Sequence, residues 1–270
     1  MFFEYTPKET SASVGELFRD FSGYIQADAK SVYDLLFKPP DQRHPTDDGT
    51  VDDAIRHEVG CWAHARRKFW EAAITKDPVA REALARIMRI FELDRSWRKL
   101  PAAEIKSLRE LHLRPHTDAF FAWVEAEYER VRDQRGLLRT AFGYAHRQRH
   151  PLTRFYDDGR LRLDNNASER ELRRIAVGRK AWMFVGSDDH AQAAGNLMTL
   201  IASARLHRLD PEAYLRDVIR VLPHWPRERF LELCPRDWLA TRATLDSVEL
   251  ELGPLTVPAP PLPSQQPAAR

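Results

Sequence analysis

RLRLDNNASERELRRIAVGRK, residues 160–180, changes character twice within one short stretch. Leu161 and Leu163 alternate with arginines as in a half-buried strand. The Asp158-Gly159 turn signal before them, with Phe155 and Tyr156 on its other side, predicts a small hairpin. Asp164-Asn165-Asn166 breaks the alternation, and a helix follows. Asn166-Ala167-Ser168-Glu169 fits a capping box, in which Glu169 reaches back to the amide of the capping residue. Arg173, four residues on, can pair with Glu169 for about 0.3–0.5 kcal/mol if exposed. Leu172, Ile175 and Ala176 are expected to form the buried face of this helix. Arg170, Arg173, Arg174, Arg179 and Lys180 form a basic cluster beside the carboxylate. Such a cluster is either a track for phosphates or a solvated face balanced by Glu169 and Glu171.

Upstream, residues 1–7 are apolar and aromatic enough for a strand. Residues 21–27 read as a second strand ending on Asp28, and Ala29 to Phe37 as a short helix with Val32, Leu35 and Leu36 on one side. Pro39-Pro40 stops it, and a polar loop to about Asp53 precedes a third strand at Ile55 to Gly60. From Cys61 to about Gln148 the pattern is almost wholly helical. Val79, Ala83, Ile87, Ile90 and Phe91, and again Phe120, Val124, Tyr128 and Val131, recur at steps of three and four, the spacing of core-facing stripes. Another helix is expected over Leu137 to Arg149. Downstream, Ala181 to Val185 suits a strand, and Ser187 or Asp188 can cap a helix running to about His207. Asp210-Pro211 opens a last helix ending near Pro223. The proline-rich stretch beyond Pro254 is expected to be a disordered tail.

The 270 residues are 43% hydrophobic, enough to bury a real core in one large domain or two small ones. No run approaches the roughly 18 apolar residues of a membrane span, and the start lacks the zones of a signal peptide. A cytoplasmic protein, nucleoid-associated in its working state, is the expectation. Net charge is +2, a balance of 42 basic against 40 acidic residues, so local clusters matter more than the total.

Two further constellations can carry chemistry. Asp28, closing a strand, either faces an open sheet edge as a metal ligand or caps the next helix. Gly60 to Phe69, GCWAHARRKF, offers Cys61 and His64 as Cys-x-x-His one helical turn apart. A structural zinc wants four ligands, and no second Cys/His pair stands at suitable spacing. A packed, hydrogen-bonded pair is therefore the local reading, with Arg66, Arg67 and Lys68 spread round the helix.

Taken in order, these segments resemble the transposases of the insertion sequence 66 family, enzymes of the Asp-Asp-Glu type. The resemblance is carried by Gly23 to Asp28, Gly60 to Phe69, Asp157 to Arg160, Asp164 to Arg170 and Gly178 to Ser187. Leu209 to Leu215 and His224-Trp225-Pro226 extend it, so that it covers nearly everything to about residue 257. It implies an α/β, mainly helical fold, with an incomplete ribonuclease-H-like core, a helical insertion and a helical C-terminal region. The implied divisions are 1–77 and 151–207 for the two parts of the core, 78–150 for the insertion, 208–253 for the C-terminal region and 254–270 for the tail.

The resemblance makes Asp28 the second catalytic aspartate and Glu169 the catalytic glutamate, together holding Mg2+ for attack on a DNA phosphodiester. Cys61 and His64 match a Cys-x-x-His signature near the active site of several transposase groups, which implies a DNA-positioning role. Arg66, Arg67, Lys68, Arg170, Arg173, Arg174, Arg179 and Lys180 would contact DNA, both the insertion-sequence ends and the target. The match starts on the family's third core strand. The first catalytic aspartate, two strands and an amino-terminal DNA-binding region are accordingly expected to be absent, and Glu4 and Asp20 do not stand in the missing position. A truncated transposase, inactive alone and completed by an upstream fragment or a full-length copy, is the leading expectation. The alternatives are a non-catalytic inhibitor that binds DNA or transposase, and a helical scaffold with no nucleic-acid role.

Overall fold

The computed structural model describes residues 2–43, 52–182 and 186–252; side chains are described outside 179–182, 249, 251 and 252. Lys8–Arg174 make one compact unit, and Met1–Pro7 with Ile175–Arg270 make another.

The larger unit opens with α1 (Ser11–Leu17), whose cap Thr10 accepts a hydrogen bond from the Ser13 amide. Two strands follow, β1 (Gly23–Ala27) and β2 (Arg56–Gly60), paired in parallel from Gly23↔Arg56 to Ala27↔Gly60. The strands expected at 21–27 and at Ile55 to Gly60 are therefore present. The residues after them, Asp28 and Cys61, leave neighbouring strands at the same end of the ladder. Between the strands, Ser31–Phe37 forms a tight 3-10 helix rather than an α-helix. Residues 44–51 of the expected polar loop lie outside the described residues.

Helices build the core of this unit. They are α2 (Trp62–Ala73), α3 (Pro78–Trp97), α4 (Ala102–Leu108), α5 (Arg114–Val131), α6 (Leu137–Arg147), α7 (Arg149–Thr153) and the start of α8 (Asn166–Trp182). Asp77 caps α3 through the amides of Val79 and Ala80, and Pro78 supplies a fixed φ at its first position. The stripes read from the sequence point inward: Ala83, Ile87, Ile90, Phe120, Val124 and Val131 are buried with Trp62, Phe69 and Phe142. The rings of Phe69 and Phe142 meet edge to face at 5.0 Å. Gly60 lets α7 pack on β2, since a Cβ there would lie 3.0 Å from the Leu152 amide nitrogen. The Trp62 indole then donates to the Leu152 carbonyl at 2.7 Å.

The other expected strands need correction. The strand at residues 1–7 does not form; the described residues 2–7 are irregular, and the Phe3 amide donates to the Thr199 hydroxyl at 2.8 Å instead. The hairpin around Asp158-Gly159 is also absent. Arg109 explains why: its buried guanidinium donates to the carbonyls of Phe155 and Leu161, both at 2.9 Å, so those acceptors are satisfied by a side chain rather than a ladder. Residues 181 and 182 belong to α8 and not to a strand, while 183–185 lie outside the described residues.

Gly159 sits so tightly that a Cβ would fall 1.9 Å from the Ala102 carbonyl oxygen. Gly159→Ala should therefore force a backbone shift and cost about 1–3 kcal/mol. Thermal melts compared with Gly136→Ala, where φ is +133° but no atom lies within 4 Å, separate crowding from backbone strain. Equal losses would contradict the close approach.

The second unit contains α9 (Asp188–Leu206), α10 (Pro211–Val221), α11 (Trp238–Arg242) and α12 (Ser247–Leu252). Ser187 caps α9, and Asp210 caps α10 through the Ala213 amide at 2.8 Å. Val218, Val221, Trp225, Leu233 and Trp238 pack around Ala204 and Tyr214. The helix expected to end near Pro223 ends at Val221, and it is not the last: α11 and α12 follow. The described residues are thus mainly helical, with one short parallel strand pair in the larger unit. Among the described residues no helix is long and apolar enough to cross a membrane. The proline-rich tail lies outside them.

Candidate active site

Parallel strands carry functional groups at their carboxyl ends, where the chain must turn out of the sheet. At the end of β1, Asp28 is followed by Ala29 with φ 61°, a left-handed conformation that costs an alanine about 1 kcal/mol or more. This sharp turn leaves Asp28 at the strand's end, where its carboxylate accepts the Lys30 amide at 3.3 Å. At the end of β2, Cys61 is wholly buried and starts α2.

Glu169 reaches the same region through the segment that precedes α8. The Gln26 side chain on β1 donates to the Arg162 carbonyl at 2.8 Å, and the Trp62 amide to the Leu163 carbonyl at 2.9 Å. The Asn165 amide then donates to Cys61 Sγ at 3.3 Å. Both halves of the Cys-x-x-His motif thus face the start of α8. Cys61 holds its backbone, and His64 Nδ1 lies 3.8 Å from Glu169 Oε1.

The expected capping box does not form, and the reason is one residue of register. The first helical bond runs from the Glu169 amide to the Asn165 carbonyl. Glu169 is therefore the fourth residue of the helix, one beyond the position from which a box closes. Asp164 takes part of the role, accepting the Asn166 amide at 3.2 Å and lying 3.7 Å from Arg98. Among the described residues nothing donates a hydrogen bond to the Glu169 carboxylate, which is 45% exposed and has His64 as its one ion-pair neighbour.

The expected pairing of Arg173 with Glu169 is likewise absent. Arg174 pairs with Glu171 at 3.2 Å, while Arg170 and Arg173 are exposed and pair with no described residue. The expected buried face of α8 needs correction too: Leu172 is 54% exposed, Ala176 is exposed and Ile175 is only half-buried. The side chains of Arg179 and Lys180 fall outside the described residues.

Glu169, His64 and Asn166 line one end of a surface cavity of about 770 Å³ that also takes in Arg66, Arg67 and the exposed Trp70. Arg67 pairs with Glu71 at 3.1 Å, Arg66 lies over the Phe91 ring at 5.8 Å and Lys68 over the Tyr144 ring at 5.4 Å. Cys61, placed by sequence among the DNA-contacting residues, has no exposed surface. Its contribution to any such contact is the hold on Asn165.

Burial pushes the Cys61 thiol up, opposed by amides of Asn165, His64 and Ala63 that favour the thiolate, and the charge of Glu169 pushes it further. Tyr144 is pushed up by burial first and then by Cys61, Glu58 and Asp28. Sγ of Cys61, a ring nitrogen of His64 and a carboxylate oxygen of Glu169 lie within 4.8 Å of one another, the arrangement expected of metal ligands; Asp28 is outside this group. Tyr144 and Asp164 are participants that local sequence did not flag. An Asp two residues before a helix's first amide was the available signal for Asp164; Tyr144 carries none beyond the core stripe.

Burial predicts the thiol chemistry. With Cys61 wholly buried and Cys234 partly exposed, an alkylating reagent should modify Cys234 first under native conditions and reach Cys61 only on unfolding. Peptide mass mapping reads this directly, and equal native labelling would contradict the burial of Cys61.

A family model described as Transposase IS66 family matches residues 1–193, and one described as IS66 C-terminal element matches residues 199–236. Three curated relatives come from Sinorhizobium fredii (strain NBRC 101917 / NGR234), and each is named only as an uncharacterized protein. Protein y4hP is 35% identical over 191 residues, covering 66% of this chain and 34% of the relative. Protein y4qI is 29% identical over 217 residues, covering 80% and 39%. Protein y4jD is 30% identical over 223 residues, covering 82% and 42%. The chain thus spans between about a third and two fifths of the length of these relatives. No solved structure matches it.

Proposed function

Because the chain belongs to the IS66 transposase family, we propose that it supplies two carboxylates, Asp28 and Glu169, to a divalent-metal site that cuts and joins insertion-sequence DNA. One observation carries this reading: among the described residues the Glu169 carboxylate, in the first turn of a helix, caps no amide and pairs with no arginine of its own helix. One residue of register keeps it out of a capping box, which leaves the carboxylate open to a ligand.

The donor set suits a hard cation. Both groups offer carboxylate oxygens, and Asp28 accepts just the Lys30 amide among the described residues. Membership of the family implies a divalent metal and DNA; that the metal is Mg2+ belongs to this proposal. Bound there, a divalent ion lowers the pKa of the attacking water or 3′-hydroxyl and offsets charge building on the phosphate. The chain's own residues do the rest. His64 lies 3.8 Å from Glu169, while Arg66, Arg170 and Arg173 offer guanidinium forks that suit phosphate oxygens. A ribonuclease-H-like core would place the family's first strand and first aspartate beside the free edge of β1. In this reading Asp28 and Glu169 are two of the family's three carboxylates, and strand transfer is expected in a reaction that contains all three.

Salt dependence tests the DNA part. Affinity for insertion-sequence-end duplex should fall linearly in a log–log plot against salt, and Arg170→Ala or Arg173→Ala should each reduce the slope by about 1. A slope untouched by either change would remove these arginines from the DNA path. Steep salt dependence with no metal-dependent cleavage, even with the upstream part supplied, would instead favour an inhibitor that binds without cutting.

A further inference from the structure

Beyond the hard-cation pair, we propose that Cys61, His64 and Glu169 form a second cation site, an open three-ligand site selective for a soft divalent transition metal such as Zn2+. The sequence argued against zinc because Cys61 and His64 have no second Cys/His pair. The fold supplies the third ligand from a distant segment, and three protein ligands with one open position are sufficient for zinc.

The geometry is close to what such an ion needs. The three donor atoms lie within 4.8 Å of one another, and His64 Nδ1 is 3.8 Å from Glu169 Oε1. Tetrahedral zinc bonds bring neighbouring donors to about 3.5 Å, a contraction of about an ångström that side-chain rotation can supply. Among the described residues His64 Nδ1 is buried with no hydrogen-bond partner. A metal ion would take its imidazole lone pair. The Asn165 amide donates to Sγ at 3.3 Å and would stabilise the thiolate once its proton leaves to solvent as the sulfur–metal bond forms. A thiolate with imidazole selects zinc or cobalt over magnesium. Because Glu169 belongs to both sites, occupation by zinc would withdraw it from the pair with Asp28, so zinc should oppose magnesium.

Cobalt titration of the full chain, reduced and without DNA, tests this. The expected result is a thiolate-to-cobalt charge-transfer band and tetrahedral ligand-field bands that saturate at one equivalent and are bleached by Zn2+. Cys61→Ser should abolish the charge-transfer band, and His64→Gln or Glu169→Gln should weaken binding by more than about tenfold. Cys234→Ser should change nothing. Circular dichroism of each metal-free variant checks that it is folded; Glu169→Gln, exposed at its site, serves where Cys61→Ser does not fold. No band at saturating cobalt, a band that follows Cys234, or unchanged affinity in both His64→Gln and Glu169→Gln overturns the proposal. The readout needs neither DNA nor catalysis, so its failure leaves the strand-transfer reading standing, and failure of strand transfer leaves this site standing.

Discussion

If the proposed site is right, Glu169→Gln and Asp28→Asn should each lower metal-dependent joining of insertion-sequence-end DNA by about 10²–10³-fold or more, with the remaining part of a family protein supplied in the same reaction. Both substitutions keep side-chain shape and remove one charged oxygen donor. Glu169 is 45% exposed and holds no helix amide, so its loss should leave the melting temperature unchanged. Asp28 gives up one long hydrogen bond to Lys30 and should behave similarly. DNA affinity, carried by arginines, should stay within a few-fold of wild type. Gel-resolved strand-transfer products, a melt and a binding isotherm on the same preparations separate these effects. Joining that persists in either variant contradicts the assignment of that residue, and loss accompanied by unfolding would assign it to structure.

The largest stability effect is expected far from the DNA. Arg109 and Asp94 are each 3% exposed, and the guanidinium lies 2.8 Å from the carboxylate while also donating to the carbonyls of Phe155 and Leu161. Arg109→Met removes the charge and three donors at once. Asp94 is left with Arg98 at 3.9 Å, a half-exposed partner too distant to replace the bond. Breaking one side of a buried pair costs about 3–5 kcal/mol, a large share of the roughly 5–15 kcal/mol that holds a domain together. Thermal unfolding should move down by on the order of 10 °C. The double variant Arg109→Met with Asp94→Leu should recover part of the loss, since two apolar side chains of similar volume leave no buried charge. The freed carbonyls keep the recovery incomplete. A loss under about 1 kcal/mol in Arg109→Met would show that water replaces the guanidinium and that the pair does not hold the 155–161 segment.

Arg109 also marks where sequence reading stopped. Leu161 and Leu163 alternate as a strand does, and Leu163 is indeed buried, but alternation says nothing about what accepts or donates to the backbone between them. A guanidinium from far upstream settled that, and no local pattern announces it. The helical stripes around Ile87 and Phe120 were legible because burial follows the period of the helix whatever the neighbours are. The two strands were legible from short runs with apolar residues that end at Asp28 and Gly60; their parallel pairing, which the long connection between them allows, came only from the folded chain. Residues 2–7 looked like a strand for the same compositional reason, yet the Phe3 amide found the Thr199 hydroxyl. At the site, Asp28 and Glu169 were read as candidates from where they stand, but the capping alternative turned on one residue of register, which propensity does not resolve. The nearness of Cys61, His64 and Glu169 could come only from the folded chain, since Glu169 arrives through bonds from Gln26, Trp62 and Cys61 to the segment before α8.

Iron-directed backbone cleavage tests most directly whether Asp28 and Glu169 share a metal centre. Fe2+ is exchanged for Mg2+ in the Cys61→Ser chain, so that no thiolate can bind the iron, and ascorbate with peroxide then generates radicals at the ion. Cuts near residue 28 and near residue 169 should appear together, compete away with Mg2+ and vanish together in Glu169→Gln. Cleavage confined to one of the two segments, or cuts beside Asp28 that survive Glu169→Gln, would contradict a shared centre.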